Sequence, residues 1–218
     1  MKSYYAQDGA SFYAIGIPML ESVKLLKSGG MEREAEELLR YYEIHGEMLI
    51  KNGLCYPPHE VKYEQSIVAP AVNYLFQLYE LTGKILYLEE GKKQLAVLVL
   101  FNGHQPDFHM YENAVRHWDG YWFGKYKNLG DTFPHYWSSL SGVAFREYEK
   151  ITGERSYGVK AENSLRGVLS MINSDGSASC AYVYPFMVNN VRCQYADPWA
   201  NDQDWALYYY LKEGKNYD

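Results

Sequence analysis

Apolar side chains recur along most of this chain at steps of three and four residues, the spacing that places them on one face of an α-helix. Tyr157, Ala161, Leu165, Val168, Leu169 and Ile172 form one such face, and Tyr136, Leu140, Val143, Ala144, Tyr148 and Ile151 form another. Ile85, Leu88, Leu95, Leu98 and Val99 mark a third; Ala35, Leu38, Leu39 and Tyr42 mark a fourth. The stretches 12–27 and 64–81 follow the same pattern with Pro18 and Pro70 inside them, which predicts a kink or a later start. A last helix is expected to begin near Asn201, a residue suited to capping. Alternation with period two shows only at Ser179–Tyr184. The pattern predicts an all-α chain of about seven helices.

The helices repeat. Leu81-Thr82-Gly83 followed by Tyr87 matches Ile151-Thr152-Gly153 followed by Tyr157, and Ser28-Gly29-Gly30 is a looser copy. Each is a helix stop followed at once by a helix start, the signature of stacked αα-hairpins. In antiparallel helices successive connections alternate between the two ends of the layer. The short turns near 29, 83 and 153 therefore share one end. The long connections, about 53–62, 102–134 and 173–200, share the other.

Those connections carry the unusual residues. The chain has 23 Tyr and 5 Trp among its 218 residues, more than core filling requires. Five of the six histidines (His59, His104, His109, His117 and His135) and four of the five tryptophans (Trp118, Trp122, Trp137 and Trp199) lie in or beside the long connections. Long loops in a compact domain are usually functional or disordered, and these are too aromatic for disorder. Connectivity thus predicts one functional face. Aromatic plugging of the bundle end is the bland alternative, but a plug needs few histidines or acids.

Rings flanked by carboxylates and amides suit sugars. A ring covers the apolar C–H face of a pyranose while polar groups bind its hydroxyls. Trp118, Tyr121, Trp122, Trp137, His109, Glu112, Asp197, Trp199, His59 and Glu60 are the expected substrate-binding residues. Hydrolysis requires two carboxyl groups, and Asp119 and Asp131 are the preferred pair. Asp131 also suits a turn or helix start before Thr132 and Pro134. Elimination beside a uronate carboxylate requires instead a base and a group that neutralises the carboxylate. Arg116, His117, His135 and Tyr136 supply those. Of the two reactions the sequence places hydrolysis first. A non-catalytic glycan-binding remnant and a helical-repeat interaction module remain as alternatives, although a peptide-binding repeat more usually uses its concave helix faces.

Charge and cysteines narrow the partners. The net charge of −6, with acids spread along the chain, offers no basic surface to nucleic acid or an anionic membrane. No run approaches the roughly 18 apolar residues of a membrane span. Met1 to Ala10 is polar and lacks a signal core, so the chain as written is expected in the cytoplasm, and exported if the native N-terminus is longer. Cys55, Cys180 and Cys193 have no metal-binding spacing. His109 with Glu112, or His117 with Asp119, matches no recognised zinc pattern, so neither a metal nor a cofactor is expected.

Four features together resemble the six-hairpin glycosidase-like superfamily, whose (α/α) toroids include glycoside hydrolases and polysaccharide lyases. They are the Thr-Gly turns followed by tyrosine and the stretches YEQSIVAPAV at 63–72, RHWDGYWFGK at 116–125 and GDTFPHYW at 130–137. The resemblance spans roughly 12–213 and implies an architecture and a glycan substrate, without assigning catalytic residues. A complete six-hairpin toroid has twelve helices. Residues 1–218 are therefore expected to form a single, incomplete toroid-like domain, part of a larger toroid. An open array exposes apolar ends, which predicts a homo-oligomer or further N-terminal hairpins.

Overall fold

A computed structural model of the chain describes residues 16–54, 65–100, 131–135, 138–178, 181–184, 187–188, 190–192 and 203–213. Seven α-helices lie within them: α1 (Gly16–Ser28), α2 (Glu32–Asn52), α3 (Gln65–Thr82), α4 (Ile85–Val99), α5 (Ser138–Thr152), α6 (Arg155–Gly167) and α7 (Gln203–Glu213). The fold is the expected all-helical hairpin array. Pro18 sits in the first turn of α1, where a missing N–H costs nothing. Pro70 lies inside α3, which continues through it.

The repeated turns are alike in their hydrogen bonds. Thr82 donates its hydroxyl to the Leu78 carbonyl at 2.6 Å and accepts the Lys84 N–H at 3.3 Å. Thr152 does the same with Tyr148 at 2.8 Å and Glu154 at 3.2 Å. Gly83 and Gly153 then take φ of 69° and 73°, a left-handed conformation that costs other residues a steric penalty. Their N–H groups donate to the carbonyls of Tyr79 and Glu149, both at 2.7 Å. Thr-Gly is thus a self-capping stop, and Tyr87 and Tyr157 mark the helix that follows.

The odd-numbered helices form an inner layer, with α1 beside α3, α3 beside α5 and α5 beside α7. α2, α4 and α6 pack on them as hairpin partners. Ion pairs between Lys24 and Glu80 (2.9 Å) and between Lys150 and Glu213 (3.0 Å) join inner helices near their C-terminal ends. At the opposite end Gln65 of α3 donates to Ser141 of α5 at 2.6 Å. The inner helices are therefore parallel, and the short turns share one end. The outer helices therefore end, and α3, α5 and α7 begin, at the opposite end.

α3 is the core helix. Ile67, Val68, Ala69, Ala71, Val72, Tyr74, Leu75, Phe76 and Leu78 are all buried, because neighbours cover α3 on nearly every side. One cluster centres on Phe76, Leu98, Leu140, Phe145 and Leu165, a second on Leu20, Leu49, Leu75 and Leu78. Glycines set the closest approaches. A methyl at Gly91 would fall 2.5 Å from the Phe76 ring, and one at Gly142 would fall 2.6 Å from Leu165. Helix α2 leaves Tyr41 and Ile44 more than half exposed.

One boundary differs from the periodic pattern. The face drawn from Tyr157 to Ile172 is continuous in the sequence, yet α6 stops at Gly167 and one turn of 3-10 helix carries Val168–Met171. α5 begins at Ser138, and Tyr136, which opens the other face, lies outside the described residues. There are also short strands: β1 (Asp131–His135), β2 (Ala181–Tyr184), β3 (Met187–Val188) and β4 (Val191–Arg192). Within the alternating stretch Ser179–Tyr184, Ala181–Tyr184 is strand β2. β1 gave no period-two signal, because Pro134 and a bulge interrupt it.

Candidate functional site

Strands β1 and β2 lie in different long connections and pair antiparallel, so the second and third connections meet at the loop-bearing end. Asp131 pairs with Tyr184, Thr132 with Val183 and His135 with Ala181. Between Thr132 and His135 β1 advances three residues while β2 advances two, so one residue of β1 bulges. The bulge changes parity.

Asp131 thus belongs to a strand and not to a helix start. Among the expected site residues, Asp131 and His135 are placed by this ribbon. His59, Glu60, His109, Glu112, Arg116, His117, Trp118, Asp119, Tyr121, Trp122, Tyr136, Trp137, Asp197 and Trp199 lie outside the described residues.

α5 opens with Ser138, Ser139 and Ser141, all fully buried, directly after the GDTFPHYW stretch. Small hydroxyl side chains let α5 approach α3 closely there, and Ser141 receives the Gln65 amide. The sequence reading missed Gln65, although a polar residue opening an otherwise apolar helix was a visible signal. Because the inner helices are parallel, their N-termini converge at this end. Each carries there the positive end of its helix dipole, a partial charge of about half a unit before screening.

Five of the described tyrosines are unsuited to proton abstraction. Burial, aided by Glu43, pushes Tyr87 up to about 12. Burial, aided by Glu21, does the same to Tyr209. Tyr74 is raised further by burial, and its hydroxyl donates to the Tyr42 carbonyl at 2.8 Å. Burial also raises Tyr148 and Tyr157, which stack edge-on with ring centroids 4.6 Å apart. Such phenols stay protonated near neutral pH. Among the described residues no group of His, Cys, Asp and Glu has the arrangement of a metal site. No described helix is long and apolar enough to cross a membrane.

No protein-family model matches this sequence, and no curated protein does. A solved structure described as "Polysaccharide Lyase BACCELL_00875" is similar to it, with a TM-score of 0.78 and 51% sequence identity. The match covers 94% of this chain and 31% of that one. The chain is therefore similar, in sequence and in helical fold, to about a third of the length of a polysaccharide lyase.

Proposed function

We propose that this chain is part of a carbohydrate-active enzyme that cleaves a uronate-containing polysaccharide by β-elimination. The observation that carries the reading is the 51% identity, over 94% of the chain, to a polysaccharide lyase. Aromatic and histidine-rich connections, and four helix N-termini directed at the end that bears them, agree with an anionic glycan. The similarity favours elimination over hydrolysis, which the paired carboxylates suggested first.

In elimination a base removes the proton at C5 of the uronate. The electron pair forms the C4–C5 double bond, the C4–O bond breaks, and an acid returns a proton to the departing oxygen. No water is consumed. The C5 proton is acidic only if the adjacent carboxylate is neutralised or hydrogen-bonded. Arg116 is proposed for that task, His117 as base and Tyr136 as proton donor. Histidine has an ordinary pKa near 6.5 and is mostly neutral at pH 7, so it accepts a proton without further activation.

The test is a panel of acidic and neutral polysaccharides followed by ultraviolet absorbance. At least one uronate polymer should yield the absorbing unsaturated uronate, and neutral glucans and mannans should yield nothing. New reducing ends without that chromophore would show hydrolysis and overturn the proposal.

A further inference from the structure

The turn end of the inner layer holds a set of charges that the proposed reaction does not use. Lys24 of α1 pairs with Glu80 of α3 at 2.9 Å. Lys150 of α5 lies 3.0 Å from Glu213 of α7 and 3.5 Å from Glu147 on its own helix. Lys212 of α7 pairs with Glu21 of α1. The last helix is thereby fastened to α5 and, across 191 residues of sequence, to α1. Tyr209, only 7% exposed, fills the joint between these contacts.

Glu147 sits among them with its side chain 12% exposed. The charged groups that act on it are Lys150 of α5, Glu80 of α3, Lys24 of α1 and Glu213 of α7. α6 meets α5 elsewhere, through Arg146 and Glu162. Lys24, Lys150 and Lys212 balance Glu21, Glu80 and Glu213, so a charge on Glu147 is the unbalanced one. We propose that these side chains form a pH-sensitive latch that holds α7 against α1 and α5. The connection between α6 and α7 carries strand β2, so the latch also bears on the ribbon that positions Asp131 and His135.

The direction follows from the burial of Glu147. Burial is the largest influence and raises its carboxyl above the usual range; Lys150 pulls it back, Glu80 raises it, Lys24 lowers it and Glu213 raises it. With Glu147 protonated, Lys150 serves Glu213 alone and the latch is neutral. As pH rises through the raised pKa, Glu147 ionises and competes for Lys150 in a poorly solvated place. The folded carboxyl holds its proton more tightly than the unfolded one. Stability is therefore full below the unfolded pKa and falls as pH rises through the folded pKa.

Hydrogen exchange of the α7 amides between about pH 4 and 8, corrected for intrinsic rates and referred to α3, tests this. In the unaltered chain α7 protection should fall several-fold as pH rises above the ordinary carboxylate range, and level off once Glu147 is ionised. Glu147→Gln should keep the low-pH protection throughout. Glu213→Gln should lower α7 protection at every pH, because Lys150 then loses its hold on α7. A pH-independent α7 in the unaltered chain, or the same fall in Glu147→Gln, would overturn the latch. So would full α7 protection in Glu213→Gln.

Discussion

His117→Ala is expected to slow elimination by roughly 100- to 10,000-fold, the range for loss of a positioned general base. Its thermal unfolding should stay within a degree or two of the parent, because the loss is chemical. Tyr136→Phe should reduce turnover on a similar scale, since the departing oxygen then lacks a proton donor. Asp119→Asn separates the two chemistries. In a hydrolase it removes a catalytic carboxyl and abolishes turnover. In a lyase it leaves the rate within a few-fold. Initial rates by ultraviolet absorbance for these three variants check the assignment. An active His117→Ala beside an inactive Asp119→Asn would move the chemistry from elimination to hydrolysis.

The second large effect concerns stability. Arg146→Ala should destabilise the fold by about 3–5 kcal/mol, the usual cost of removing one partner from a buried ion pair. The guanidinium is 4% exposed between α5 and α6, 2.7 Å from Glu149 and 3.4 Å from Glu162. Those side chains are 21% and 18% exposed, so water replaces the lost cation poorly. Glycine leaves room for the arrangement, because a methyl at Gly158 would fall 2.0 Å from the Glu149 carboxylate. Urea unfolding of Arg146→Ala measures the cost, and a loss below about 1 kcal/mol would show that solvent or rearrangement compensates. Arg146→Lys should fall between, since a single ammonium serves two carboxylates less well than a guanidinium.

The helices were legible because burial on one face leaves a 3.6-residue trace, and the hairpin turns because Thr-Gly is a chemical stop written in two residues. Leu165 and Val168 were placed in the core from spacing alone, and both are buried. Spacing did not show where the apolar face ceases to be α-helical. Val168 and Met171 stay buried in a 3-10 turn, so the pattern runs on after the α-helix ends. Arg146 was invisible for a different reason. A charged residue in a helix reads as solvent-facing, and only the arrival of α6 buries it. Connectivity was legible and put the ends of the long connections on one side of the helices, whereas the site residues drawn from composition lie, apart from Asp131 and His135, outside the described residues. The pairing of Asp131 with Tyr184 joins connections about fifty residues apart, and no local pattern announces it. The bulge that separates Asp131 from His135 is likewise a property of the pairing and not of either strand.

The central claim is cleavage without water. Digestion of a responsive uronate polymer in heavy-oxygen water, followed by mass spectrometry of the oligosaccharides, reads this directly. Elimination leaves the departing sugar its own oxygen and gives the other fragment a double bond, so neither product takes up the label during cleavage. The account predicts unlabelled products whose masses sum to that of the substrate, after correction for slow exchange at reducing ends. Products heavier by one labelled water, with no unsaturated uronate, would contradict it.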